Sequence, residues 1–114
     1  MAILPIAVWE RSPYWVPELQ RQSEPLGARV MTCRIEEDVA RRVAEGARLL
    51  VIALPHEVRW PWQSLGRWVK SGLRVHVILD PADESYRWFL YELGATSVFD
   101  FQGARQSLVR ACVG

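Results

Sequence analysis

Apolar residues in this chain gather into five short runs, and the segments between those runs have helical spacing instead. The runs predict strands over Ile3–Trp9, Ala28–Ile35, Arg48–Leu54, Leu73–Leu79 and Thr96–Phe101. The third, RLLVIAL, is apolar nearly throughout, as a central parallel strand covered on both faces should be. Gly27, Gly46, Gly72 and Gly94 each stand just before a predicted strand. A glycine there lets a preceding helix end in the left-handed conformation without steric cost.

The intervening segments carry apolar stripes three and four residues apart. Val39, Val43 and Ala47, with Ala40 and Ala44, form one stripe in Glu36–Ala47, and Glu36, Glu37 and Asp38 stand at its dipole-positive start. Pro61 suits the first turn of a helix whose stripe is Trp62, Leu65 and Val69. Tyr86, Phe89, Leu90 and Leu93 line one side of a helix over Ser85–Leu93, with Asp83 or Ser85 able to cap it. Leu108, Val109 and Cys112 face inward on a last helix from about Gly103. Pro13, Pro17 and Pro25 crowd the first connection, so a helix there is short, over about Pro17–Ser23.

Repeated strand–helix units imply an α/β fold of three layers, a parallel sheet with helices on both faces. Right-handed crossovers leave few topologies, and five strands in 114 residues favour the flavodoxin-like order 2-1-3-4-5. The length fits a single domain over residues 1–114. Ile6, Val8, Leu50, Ile52, Val75, Val77 and Phe99 are the expected core.

Charge and composition narrow the function classes. Fourteen Lys+Arg against thirteen Asp+Glu give a net charge of +1, and the arginines are scattered, which argues against a nucleic-acid or anionic-membrane binder driven by bulk charge. No apolar run approaches the ~20 residues of a membrane helix. MAILPIAVW lacks a basic n-region and a small-residue cleavage site, so it is not read as a signal peptide and the expected location is cytoplasmic. Cys33 and Cys112 lie far apart and are expected as reduced thiols, with no metal cluster. No GxGxxG or Walker sequence is present, and ERSPYW after the first strand lacks the Ser, Thr and Gly that would hold a flavin phosphate. No cofactor is expected.

With its five βα units, VIALP closing the third strand, and ELGATSVFDF before a last helix, the chain resembles a response-regulator receiver domain over nearly its whole length. The resemblance implies an acidic pair after strand one, an Asp at the end of strand three, a Ser or Thr after strand four and a Lys after strand five. Here Ala7, Val8, Trp9 and Glu10 supply one carboxylate, Val51, Ile52 and Ala53 supply none, Asp80-Pro81 follows strand four, and Phe101-Gln102 follows strand five. Phosphoryl transfer to Asp requires the nucleophile and neutralisation of charge by a metal and Lys. The resemblance therefore implies a degenerate pseudo-receiver, the scaffold without its phosphorylation switch.

Two candidate regions follow, each with a plainer alternative. Ligands on such sheets bind at the carboxyl ends of the strands. Glu10, His56 and Asp80 are candidates for a strand-end pocket that holds a divalent metal or works as an acid–base pair; the plainer alternative is that they are polar because loop ends are wet. His76, inside VHVIL, reads as a strand residue with a satisfied hydrogen bond. Among six tryptophans, Trp88 with Tyr91 falls on the helix side opposite the predicted stripe, and Trp60 precedes Pro61-Trp62. Trp88, Tyr91 and Trp60 are candidate partner contacts, since Trp and Tyr are enriched at binding hot spots. The alternative is that Arg87 and other long stems shield them as scattered surface aromatics.

The expectation is a non-enzymatic signalling or protein-interaction module. It would act through the fourth helix, fifth strand and fifth helix, by binding a protein partner or by self-association as a homodimer, with no nucleic acid and no membrane. The alternative is a small-ligand-binding protein or small enzyme using the strand ends.

Overall fold

The computed structural model describes residues 3–114 and places a parallel sheet of five strands in the order β2-β1-β3-β4-β5. The strands are β1 (Leu4–Glu10), β2 (Ala28–Cys33), β3 (Leu49–Ala53), β4 (Arg74–Ile78) and β5 (Ser97–Phe99). The helices are α1 (Trp15–Ser23), α2 (Glu36–Ala44), α3 (Trp62–Lys70), α4 (Arg87–Leu93) and α5 (Phe101–Val113). This is the three-layer, flavodoxin-like α/β architecture. Every adjacent strand pair is parallel, and Glu10 stands in register with Ala53 at the rim of the central pair.

Strand alternation divides the core in two. Ala7, Trp9, Leu50, Ile52, Val75 and Val77 face α2, α3 and α4, meeting Val39, Leu65, Trp68 and Leu90. Ile6, Val8, Leu49, Val51 and Ile78 face α1 and α5, meeting Leu19, Ala104, Leu108 and Cys112. Six of the seven expected core residues are buried; Phe99 is only half-buried, because β5 is the sheet edge and no strand flanks it on one side.

Side-chain caps move three element boundaries. Asp100 accepts the Gly103 N–H through Oδ1 at 2.6 Å, so β5 stops at Phe99 and α5 begins at Phe101, not at Gly103. Asp80 accepts the Ala82 N–H at 2.9 Å and caps a 3-10 turn over Pro81–Tyr86, a role expected of Asp83 or Ser85. That turn delays α4 to Arg87; within the helix Leu90 is buried, whereas Phe89, expected on the same buried side, is exposed. α1 starts two residues before Pro17, which sits in the first turn, where a missing N–H leaves no intrahelical bond unmade.

All four predicted helix-ending glycines have positive φ. Gly94 is the most constrained, because a Cβ there would lie 2.5 Å from Val69 Cγ1, so the α4–β5 turn packs directly on α3.

His76 departs from expectation. It is 1% exposed on β4, on the side facing α1 and α5, and neither ring nitrogen has a hydrogen-bond partner among the described residues. Burial pushes its pKa down to about 4, helped by the nearby Arg74 charge. The strand's own backbone bonds run to β3 and β5, and the apolar face it meets offers the imidazole no acceptor.

Candidate functional site

The carboxyl ends of β1, β3 and β4 surround an open cavity of about 460 Å³, lined by Glu10, Ala53, Leu54, Leu79 and Asp80 among others. The β1–α1 connection shapes its wall. Glu10 is 2% exposed, and its carboxylate accepts three backbone N–H groups: Tyr14 at 3.1 Å and Trp15 at 2.9 Å on Oε1, and Val16 at 2.9 Å on Oε2. The start of α1 has no Ser, Thr, Asp or Asn in the capping position, which Tyr14 occupies. Glu10 replaces that cap from the end of the preceding strand, satisfying N–H groups that a helix leaves free.

Glu10 and Asp80 both line the cavity, and His56 does not join them. Its Nδ1 lies 2.7 Å from Asp83 Oδ1. Asp83 is 1% exposed, whereas the His56 side chain is 60% exposed. The hydrogen bond to Asp83 raises the His56 pKa first, the Asp83 charge adds to it, and Asp80 and Glu57 contribute further attraction. Asp83 also accepts Trp60 Nε1 at 3.4 Å through Oδ2, so one buried carboxylate ties the β3–α3 connection to the turn before α4.

Trp60 is thereby withdrawn from the surface. It is 6% exposed, stacked on Trp62 at 5.3 Å and set edge-on to Tyr86 at 6.0 Å. Trp62 meets Phe89 edge-on at 5.0 Å, which extends the ring cluster to α4. Trp60 supports the α4 surface from behind and is not itself a surface contact.

The other two aromatic candidates are at the surface. Trp88 is 72% exposed and Tyr91 48% exposed, and Phe89 joins them. Arg87 does not shield Trp88. Its guanidinium bonds to Glu84 and to the Val98 carbonyl. The Tyr91 hydroxyl accepts the Val98 N–H at 3.1 Å, so its ring lies along the junction of α4 and β5.

Both cysteines are buried and free. Burial pushes the Cys33 thiol up to about 11 and the Cys112 thiol up to about 12, which leaves neither as a thiolate nucleophile near neutral pH.

Periodicity gave no signal for Asp83 as the partner of His56, since the two are 27 positions apart in separate connections. It also gave none for the ring group Tyr14, Trp15 and Phe101 at the cavity mouth, with centroids 4.9 to 5.5 Å apart. A usable cue exists for the rings. Tyr14-Trp15 and Phe101 open the two helices that pack on the same sheet face.

No protein-family model matches the chain, and no curated protein sequence matches it. Solved structures do. The chain is similar to an orphan response regulator of H. pylori, with TM-score 0.74 and 13% identity, covering 97% of each chain. It is similar to the signal receiver domain of an HD domain-containing protein from Pseudomonas fluorescens, with TM-score 0.75, 16% identity, and 97% of this chain and 85% of that one covered. It is also similar to the signal receiver domain of a signal transduction histidine kinase from Syntrophus aciditrophicus, with TM-score 0.65, 19% identity, and 96% and 89% covered. At these identities the likeness is one of fold: the chain has a receiver-like fold.

Proposed function

We propose that this chain is a receiver-like signalling or protein-interaction module without a phosphorylation switch, acting in the cytoplasm through the face built by α4, β5 and α5. One observation carries the reading. At the rim where a receiver joins phosphate to a carboxylate, the only acid from β1 is Glu10, occupied by three α1 N–H groups, and its neighbour across the register is Ala53. Without a carboxylate on β3 the strand that carries the acyl phosphate in a receiver offers no nucleophile, and with Glu10 already bonded there is no free acid pair from β1 to seat the metal that would neutralise it. Trp88 and Tyr91 supply the contacts. A protein partner or a second copy covers them, and the module turns over no substrate and binds neither nucleic acid nor membrane.

The test pairs two measurements on the purified chain. Incubation with acetyl phosphate and Mg²⁺ leaves the intact mass unchanged, and sedimentation velocity shows concentration-dependent association. A stable aspartyl phosphate, or a chain that stays monomeric at high concentration and captures no partner, overturns the reading.

The cavity of about 460 Å³ supports a second reading, a small-ligand site at the strand ends involving Glu10, Asp80 and the adjoining His56. Its size falls within the few-hundred-Å³ range of small-molecule sites.

A further inference from the structure

We propose that the strand-end cavity binds a small organic cation, an amine carried on an apolar or aromatic body. The proposal rests on the second reading above and supplies its chemistry. The cavity floor is apolar, formed by Ala53, Leu54, Ile78 and Leu79. One wall is aromatic: Tyr14 lies 4.9 Å from Trp15 and 5.3 Å from Phe101, and Tyr14 and Phe101 are exposed. Aromatic faces attract cations through their quadrupole.

Charge at the rim favours the same ligand. Three carboxylates line the cavity, those of Glu10, Glu57 and Asp80, against the single guanidinium of Arg11. Arg11 is already held by Glu57 at 3.1 Å. Asp80 uses Oδ1 on the Ala82 N–H, and its Oδ2 has no hydrogen bond among the described residues. The N-termini of α1 and α5 both open near this rim and would otherwise favour an anion. Both are capped by carboxylates of the chain itself, Glu10 on α1 and Asp100 on α5. A metal ion fits less well, since the Glu10 oxygens are taken and no cluster of three ligating side chains occurs among the described residues. With Glu10 and Glu57 already bonded, an ammonium group beside Asp80 with its apolar body against the floor and rings matches the carboxylate oxygen left free and the apolar and aromatic walls.

The experiment is an amide NMR titration of the full chain with phenethylamine, 2-phenylethanol and 3-phenylpropionate, three probes of similar body and different charge. The amine shifts the Trp15 indole and the amides around Ser12 and Asp80 with a millimolar Kd, and the carboxylate does not. Asp80→Asn keeps an oxygen to cap the 3-10 turn, so the fold persists while amine affinity falls about tenfold. Arg11→Ala releases Glu57 and tightens amine binding several-fold. Trp88→Ala leaves it unchanged. The proposal is overturned if the carboxylate binds as well as the amine, if Mg²⁺ saturates the site while the amine does not, if Asp80→Asn and Arg11→Ala leave Kd unaltered, or if no probe binds. Sedimentation of the same samples reads the α4 surface separately, so either proposal can fail alone.

Discussion

The Tyr91 hydroxyl accepts the Val98 N–H at 3.1 Å, and with it a side chain of α4 closes the open edge of the sheet. β5 is the last strand of the order β2-β1-β3-β4-β5, so its outward backbone groups have no strand to pair with. Arg87 takes the Val98 carbonyl from the same helix. An edge strand left bare is a template for unwanted pairing, and here two side chains occupy it. Tyr91→Phe removes one hydrogen bond and keeps the ring, so urea unfolding should show a loss of about 1 kcal/mol. No loss would mean that water serves Val98 equally well.

Trp88 has no such structural duty. At 72% exposure it contributes little to folding, so Trp88→Ala should change stability by less than about 0.5 kcal/mol. The same substitution should weaken association by tenfold or more, read by sedimentation velocity, because truncating a tryptophan anchor costs about 2 kcal/mol at an interface. Unchanged association would place the contact surface elsewhere.

Glu10→Ala tests the cap supplied from β1. Removing the carboxylate strands the Trp15 and Val16 N–H groups in a buried site and that of Tyr14 in a part-buried one. Stability should fall by about 2 kcal/mol or more, and hydrogen exchange at the start of α1 should accelerate before the rest of the fold does. Uniform exchange along α1 would argue that Glu10 is not what holds its first turn.

The two histidines should act on stability with opposite signs. His56 has a folded pKa above its ordinary 6.5, so its pair with Asp83 adds stability that is complete below that pH and fades as pH rises through the raised value. Asp83→Asn should return the His56 titration, followed by its ring NMR signal, towards 6.5. His76 is depressed to about 4, so between 6.5 and 4 the unfolded chain takes up a proton that the folded chain refuses, and stability falls with pH across that window. His76→Leu should remove that acid loss. At neutral pH it should match or exceed wild-type stability, because it deletes a buried imidazole with neither nitrogen bonded. An acid limb that survives His76→Leu would assign it to another group.

Local pattern decided the elements and, through the crossover rule, their order. LLVIA within the run RLLVIAL is a buried parallel strand because a short continuous apolar stretch suits a strand covered on both faces, and Gly94 ends α4 because only glycine adopts its φ of 109° cheaply. That the run Leu49–Pro55 holds no carboxylate was equally plain from residue order. Tertiary structure alone decided what the connections do. Glu10 turns back to cap α1, Asp83 draws in both His56 and Trp60, and Asp80 caps a 3-10 turn ahead of α4. The reason is physical. Strand and helix periods fix where a side chain points relative to neighbours two, three or four residues away. A loop residue takes its direction from whichever distant segment the finished sheet brings within hydrogen-bonding reach, and no period along the chain encodes that meeting.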